Sequence, residues 1–339
     1  MIAAYYEKKG SAREVLVVAD VPDPEPGPGE VRVRIAVSAV NPTDTKARNG
    51  FKGNMAMPFP RVIPHQDGAG TIDRVGPGVS RERVGERVWL YEAQWQRPQG
   101  TAAQYATVPQ EQAVPLPDGV SFEEGACLGI PAITAHACLF TDGDIADKTV
   151  LVAGGTGAVG FYALQLAHLA GARVLVTVGS PAQELAVRAA GVEDVLDRRV
   201  SGLNQRILRL TGGRGVDRVV EVAFGANLPL DAEVLAPGGV IAAFASDADL
   251  EPLLPFRKLL LKNATLRFVL VYLVSAEAHR LAVADLTAHL RQRGLRHSIA
   301  LRLPLSEIVA AHEAMETGHL NGKVIVTVQD PLPGRLQSG

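Results

Sequence analysis

The stretch TVLVAGGTGAVGFYALQLAHLAGARVLVTVGS, residues 149–180, restricts the possible folds more than any other part of the chain. Val150, Leu151, Val152 and Ala153 form a short apolar run of the kind found in a strand buried on both faces. In the loop that follows, Gly155, Gly157 and Gly160 satisfy the spacing G-x-G-x-x-G. Phe161, Leu164 and His168, with Leu166 and Leu169 beside them, then repeat as one face of a helix. Gly171 closes that helix, and Arg173 to Val178 read as a second buried strand. One glycine lets the chain turn off the strand, a second lets backbone approach a diphosphate, and the third lets helix and sheet pack closely. Helix N-termini carry unpaired N–H groups and partial positive charge, which suits such a ligand. Within a β-α-β unit, the pattern points to a bound dinucleotide.

A length of 339 residues allows two domains, each with its own core. Hydrophobic content of 47% and charged content of 21% are those of an ordinary α/β protein. With a net charge of −2 and aromatics at 5%, the chain has neither a basic stripe nor interleaved aromatics for nucleic acid. No apolar run is long enough to span a bilayer, and MIAAYYEKKG lacks the architecture of a signal peptide, so a cytoplasmic location is expected. Cys127 and Cys138 lie in an Ala-rich apolar segment without metal-ligand spacing and read as buried, reduced thiols.

Before residue 120 the chain reads as short strands broken by turns. Strands are expected at 2–6, 16–19, 31–37, 68–79, 85–90 and 105–108, with the one at 31–37 half-exposed because Arg32 and Arg34 alternate with valines and isoleucine. This is the pattern of a small, irregular β-barrel-like domain. Ser121 and Glu124 then have capping-box spacing, opening a helix that should end before Gly129-Ile130-Pro131. A second helix is expected over 132–140. Strands and helices alternate from there, with helices at 181–190, 203–211 and 228–236 and strands near 194–196, 217–222 and 240–245, the order of a doubly wound parallel sheet. A strand at 265–271 is expected to leave that sheet, followed by a helix at 276–293. The tail is mixed, with a final strand at 323–328 that needs a sheet to join, and the first domain is the obvious host. The end, PLPGRLQSG, reads as disordered.

With its motifs, the chain resembles the medium-chain dehydrogenase/reductase superfamily, and within it the zinc-free NADPH:quinone oxidoreductases that include zeta-crystallin. The resemblance runs from about residue 2 to 328. It rests on Asn41-Pro42-Thr43-Asp44-Thr45, the segment His65 to Gly70, the segment Gly125 to Ala135, the GGTGAVG loop, Glu221 to Leu228, and Gly322-Lys323. It implies a GroES-like β-barrel catalytic domain, residues 1–122 and 272–339, and a Rossmann cofactor-binding domain, residues 123–271. It also implies a homodimer or homotetramer. Zinc-dependent relatives carry Cys and His ligands where this chain has Asn41 and Gln66, and their third ligand falls at Ile130; no metal is expected. His65, without partners, reads as a polar wall residue.

NAD-preferring sites place Asp or Glu at the end of the second strand. Here that position reads Val178-Gly179-Ser180-Pro181, where Ser180 could donate to a 2′-phosphate, and Arg198 and Arg199 end the next strand; Gln183 stands where a basic residue is common. The expected cofactor is therefore NADPH. The resemblance places Thr156, Gly157, Ala158 and Val159 at the diphosphate and Gly179, Ser180 and Arg198 at the adenosine end, and it counts Thr134 among the cofactor-binding residues. It places Asn227, Phe244, Ala245, Ser246, Asp247, Val269, Leu270 and Val271 along the ribose and nicotinamide, with Asn321 and Lys323 closing the cleft from the tail. The catalytic candidates are Asn41, Lys46 and Gln66. The two amides would hydrogen-bond a carbonyl oxygen, and Lys46, where a tyrosine is common, either attracts an anionic acceptor or turns to solvent. Tyr272 could supply part of the missing aromatic surface, and Asp44 reads as structural. The expected activity is hydride transfer from NADPH to a quinone or to the C=C bond of an α,β-unsaturated aldehyde or ketone. An RNA-binding or crystallin-like structural role is the alternative outside enzymes.

Overall fold

The computed structural model describes residues 1–318 and 320–328, and the chain divides into two compact units. One holds Met1–Ile130 and the chain from Thr287 onward; the other is Pro131–Leu286. Both divisions fall later than the sequence placed them. The helix capped by Ser121 packs on strands of the first unit, which carries the first division past residue 122. The expected disorder at 331–339 lies outside the described residues.

The first unit opens with β1 (Ile2–Tyr5), α1 (Ala12–Val15) and β2 (Val17–Asp20), where β1 and β2 form a two-stranded antiparallel sheet. β3 (Glu30–Val40), α2 (Pro42–Asn49), β4 (Asp67–Val75), β5 (Arg87–Leu90), β6 (Tyr105–Pro109), β7 (Ala113–Pro115) and α3 (Phe122–Ala126) follow. β3 carries the larger sheet, and its Val31, Val33, Ile35 and Val37 are all buried. Arg34 is exposed as the alternation predicts, but the outward face of β3 is less open than expected because Arg32 is buried. Its guanidinium is satisfied by Asp73 at 2.6 and 3.0 Å and by the Pro24 carbonyl at 3.2 Å. An arginine with a bidentate carboxylate can lie inside a sheet, and polarity alone does not reveal this. The capping box forms as expected, with Ser121 Oγ accepting from the Glu124 N–H at 3.2 Å and Glu124 Oε2 accepting from the Ser121 N–H at 2.6 Å.

The next helix, α4 (Gly129–Phe140), begins three residues before its expected start. Pro131 lies in its first turn, where a missing N–H breaks no helical hydrogen bond. The second unit then runs β8 (Thr149–Val152), α5 (Ala158–Leu169), β9 (Arg173–Val178), α6 (Pro181–Ala189), β10 (Asp194–Asp197), α7 (Leu203–Leu210) and β11 (Val216–Glu221). It is completed by α8 (Phe224–Val234), β12 (Leu235–Ala243), α9 (Phe256–Leu261) and β13 (Thr265–Phe268). The strands form one parallel sheet in the order β10-β9-β8-β11-β12-β13, the doubly wound fold expected. β13 does not leave the sheet; it pairs with β12 as the edge strand. α8 begins before its expected start and contains Pro229, since burial of Phe224, Leu228 and Ala232 overrides the local break.

α10 (Ala276–Arg291) contains the second division, and β14 (Ile299–Pro304), α11 (Ile308–Glu316) and β15 (Lys323–Thr327) complete the first unit. β15 joins β3 antiparallel, with Val324 opposite Val40 and Thr327 opposite Val37, so the tail finds the host sheet expected of it. The sheet order among the described residues is β14-β15-β3-β4-β5-β7, with β6 also on β3. Among the described residues no helix is long and apolar enough to cross a membrane. Cys127 and Cys138 are buried and free, and burial pushes both thiols up to about 12.

Candidate functional site

In the second unit the three loop glycines serve different ends. A Cβ on Gly155 would fall 2.2 Å from Val176 Cγ1, and one on Gly160 would fall 2.4 Å from the Gly154 carbonyl oxygen. Both are glycine because the protein's own packing demands it. At Gly157 the nearest atom to a Cβ would be 3.5 Å away, and the residue is exposed. The protein leaves space there that a side chain would fill. Gly157 is also the N-cap of α5 and offers no side-chain cap, so the N–H groups of Ala158 and Val159, both partly exposed, begin a helix without an internal partner. The loop is anchored by the Gly154 N–H donating to Thr177 Oγ1 at 3.2 Å. Such an opening can take a diphosphate, whereas Thr156 on the loop and Thr134 on α4 are buried.

At the end of β9, the Gly179 N–H donates to Gln183 Oε1 at 2.7 Å and Ser180 Oγ accepts from the Gln183 N–H at 3.3 Å. Gln183, which stands where a basic residue was looked for, therefore closes this turn. The two arginines part company. Arg199 is paired with Asp197 at 2.7 Å, which holds that carboxylate down at about 2. Arg198 lies over Gly179, so close that a Cβ there would meet its Nη2 at 2.8 Å. Among the described residues the Arg198 guanidinium enters no ion pair.

On the other side of the sheet's midpoint, Phe244, Ala245, Ser246, Val269 and Leu270 are brought together around an apolar hollow of about 550 Å³. Phe224, Leu254 and Phe268 are among the other residues that line it; Asp247 and Val271 do not. Asn227 donates to Glu221 Oε1 at 3.0 Å. Burial pushes the Glu221 carboxyl up and that of Asp231, which shares its surroundings, well up. Nothing in the sequence singled out Asp231 as the neighbour of this strand end. Tyr272 is half-buried in a short turn after β13.

In the first unit, Asp67 is fully buried at the start of β4. Its Oδ1 accepts from the Ile130 N–H at 2.8 Å; its Oδ2 accepts from Asn41 Nδ2 at 2.8 Å and from Lys323 Nζ at 3.1 Å. Lys323 Nζ also donates to Asn41 Oδ1 at 2.7 Å. The sequence reading assigned this lysine to a closing cleft and Asn41 to a substrate carbonyl. Instead the ammonium lies in the interior, 2% of the residue being exposed, and both ends of the Asn41 amide are engaged there. Gln66 is likewise engaged, with the Gln94 N–H donating to its Oε1 and its Nε2 donating to Gln94 Oε1, both at 3.2 Å. Each amide nitrogen carries one further N–H beyond these bonds. Lys46 lies half-buried on the last turn of α2, its Nζ 5.1 Å above the Phe51 ring; Asn321 is exposed.

Asp44 is structural, as expected, its Oδ2 accepting from the Asn41 N–H at 2.7 Å. Its Oδ1 is buried without a partner, and burial, with the charge of Asp67 adding, pushes the carboxyl up to about 7. His65 is no wall residue. It is fully buried, with Nδ1 2.7 Å from Ser38 Oγ and Nε2 3.0 Å from His312 Nε2.

These donors do not fit a zinc ion. Asn41 and Gln66 present neutral amides already hydrogen-bonded, Ile130 presents a hydrocarbon, and an ammonium sits 2.7 Å from the Asn41 oxygen. Among the described residues no three His, Cys, Asp or Glu side chains are grouped to hold a metal.

Residues 27–118 match the family described as alcohol dehydrogenase GroES-like domain, and residues 158–287 match that described as zinc-binding dehydrogenase. The chain is similar to the quinone oxidoreductase of Sus scrofa, 30% identical over 289 residues that cover 85% of each chain. The chain belongs to the medium-chain dehydrogenase/reductase superfamily. Solved structures of the superfamily agree in fold. An NAD-dependent alcohol dehydrogenase matches with a TM-score of 0.88 at 29% identity, covering 97% of this chain and 100% of that one. A mycobacterial protein complexed with NADPH matches with a TM-score of 0.84 at 27% identity, covering 96% and 99%. The superfamily's nicotinamide cofactor fits the cradle at Gly157, and the protein is an oxidoreductase.

Two outcomes follow from this geometry. Gly157→Ala should weaken dinucleotide binding at least tenfold in a titration while leaving thermal stability unchanged, whereas Gly155→Ala should lose about 1–3 kcal/mol of stability through overpacking. Equal stability losses would contradict the division of roles. Asp44, raised from 3.8 to about 7, contributes stability that is complete below its unfolded value and lost as pH rises through about 7. Asp44→Asn should therefore flatten stability against pH between those values in denaturant titrations; an unchanged slope would reject the assignment.

Proposed function

We propose that this oxidoreductase is zinc-free and transfers hydride from NADPH to a quinone. The observation that carries the cofactor choice is Arg198 lying over Gly179, at a strand end where residues 178–181 supply no carboxylate. A guanidinium there offers paired N–H donors to a 2′-phosphate, and the Ser180 hydroxyl keeps its own hydrogen to donate. Asp197 lies close by in register, opposite Val178, and Arg199 neutralises it. The quinone is supported by relatives named for that activity. The reading without zinc is supported by the donor set at Asn41, Gln66 and Ile130.

The bound cofactor supplies a hydride at C4 of its nicotinamide. The chain's task is to hold both partners and to offer donors where negative charge develops on the acceptor oxygen. We assign that task to the remaining N–H of the Gln66 amide and to the Lys46 ammonium. Phe244, Ala245, Val269 and Leu270 give an apolar wall along the nicotinamide side. We assign the proton to solvent, since the carboxyls of Asp44 and Asp67 are both buried.

A homo-oligomer is supported by apolar side chains around the sheet edge of the second unit, where Leu253, Leu261, Phe268 and Leu273 are 95, 74, 68 and 72% exposed. Sedimentation as a monomer at micromolar concentration would remove that part of the reading.

Steady-state oxidation of NADPH with a panel of quinones and enones tests the activity. Quinone-dependent turnover is expected, turnover with enones alone would move the protein to C=C reduction, and turnover with neither would reject both. Arg198→Ala should raise the KM for NADPH by on the order of ten- to hundredfold and leave that for NADH unchanged. Lys46→Met should raise the KM of the acceptor and not that of NADPH.

A further inference from the structure

His65 has φ of 82°, in the left-handed region that disfavours side chains, yet it is a histidine and fully buried. What it touches accounts for it. The Thr101 hydroxyl donates to the Asp67 carbonyl oxygen at 2.5 Å, and the Thr101 N–H donates to the His65 carbonyl oxygen at 3.1 Å. Thr101 thus grips the backbone on both sides of Gln66. A carbonyl has no hydrogen to give, so the single Thr101 hydroxyl hydrogen is committed to Asp67. At the 2.7 Å contact between Ser38 Oγ and Thr101 Oγ1, Ser38 must then donate. Ser38 in turn must accept from His65 Nδ1, so this nitrogen carries the hydrogen and Nε2 is bare. Across the 3.0 Å contact His312 Nε2 is therefore the donor, and its bare Nδ1 accepts from Arg48 Nε at 3.3 Å.

Every hydrogen in the series is fixed by the one before it. At its far end the Arg48 guanidinium, always charged, is held by the Gly10 carbonyl and by Glu316. The rings of His65 and His312 stack at 5.1 Å, and Ser38, His65, Thr101 and His312 are all fully buried. Burial lowers both imidazoles, His312 to about 3 and His65 well below its ordinary value, which keeps both rings neutral as the series requires. The series is no proton path to the acceptor, because it ends on a peptide carbonyl.

We propose that His65 is a positioning residue whose one-way hydrogen-bond series from Arg48 through His312, Ser38 and Thr101 fixes the backbone around Gln66 and so aims its amide at the acceptor. This rests on the role assigned to Gln66 above. The left-handed backbone at residue 65 is the cost of turning an imidazole inward between Ser38 and His312. A glycine would relieve it and lose the series.

Thr101→Val removes the hydroxyl with little change of shape, and Thr101→Ser keeps it. The expected result is a fall of about tenfold or more in kcat/KM for the acceptor with Thr101→Val, an unchanged KM for NADPH, and recovery with Thr101→Ser. His65→Gly, in a backbone suited to glycine, should fold and show the same selective fall. ¹⁵N spectra of histidine-labelled protein should show His65 protonated at Nδ1 and His312 at Nε2. The opposite tautomers, or an unchanged kcat/KM in Thr101→Val and His65→Gly, would overturn the proposal. A wild-type protein that reduces neither quinones nor enones would instead reject the functional reading, and the positioning role with it, while the tautomers would still report the hydrogen-bond series independently.

Discussion

The first unit depends on one buried carboxylate. Asp67 binds the amide of Asn41 ahead of α2, the N–H of Ile130 in the first turn of α4, and the ammonium of Lys323 at the start of β15. Three segments far apart in sequence meet on two oxygen atoms. The Coulomb attraction between Asp67 and Lys323 offsets, and need not exceed, the cost of taking both charges out of water, so the pair is a poor source of net stability. Its value is geometric. A buried carboxylate held by three specific donors restricts how those donors can be arranged, and removing Lys323 would leave its charge unpaired in the interior. Gly129 shows how tight the arrangement is: a Cβ there would lie 2.0 Å from Asp67 Oδ1.

The second unit solves a different problem, since it must leave groups unpaired. The start of α5 keeps its N–H groups uncapped by any side chain, and Gly157 keeps the space in front of them open. On the neighbouring strand of the same sheet the next helix start is closed. Ser180 caps α6, and Gln183 returns to the Gly179 N–H. What sets the start of α5 apart is the open space at Gly157 together with its uncapped N–H groups. Two of the three glycines would be required for packing even without a ligand.

How much of this the sequence revealed depends on what each feature needs. Local patterns were sufficient for the glycine loop, the capping box at Ser121, the alternating strands and helices of the sheet and the return of the last strand to the first unit, because each is set within a few residues or by a period. Long-range pairing was not legible. Arg32 reads as exposed until Asp73 is seen beside it, β13 reads as a departing strand until its register on β12 is known, and α8 reads as starting after Phe224 because Pro229 hides a helix that tertiary burial maintains. The same holds at the site. Asn41 and Gln66 were found as replacements for metal ligands, but the reason they are amides lies in Asp67, Lys323 and Gln94, separated from them by up to most of the chain. His65 carried no local signal of its partners at all, since Ser38, Thr101 and His312 come from three other parts of the sequence.

The charge balance of the Asp67 cluster bears on the chemistry more directly than the missing cysteines do. Asp67 and Lys323 carry one charge each and cancel. Asp44, buried and pushed up to about 7, is held mainly as the neutral acid below that pH, so its unpartnered oxygen need not be charged. The cluster is thus close to neutral without any ion. A divalent cation added beside Asn41 would meet an ammonium within hydrogen-bonding distance of the same oxygen and would have to expel it, leaving the lysine buried and uncompensated. The positive charge that a metal would bring is already present, covalently attached through β15 and directed at a carboxylate rather than at a substrate. An acceptor oxygen that becomes negative must accordingly be met by groups outside this cluster's closed balance. The donors proposed for it, Lys46 on α2 and the second N–H of Gln66, are not part of that balance, whereas Lys323 is.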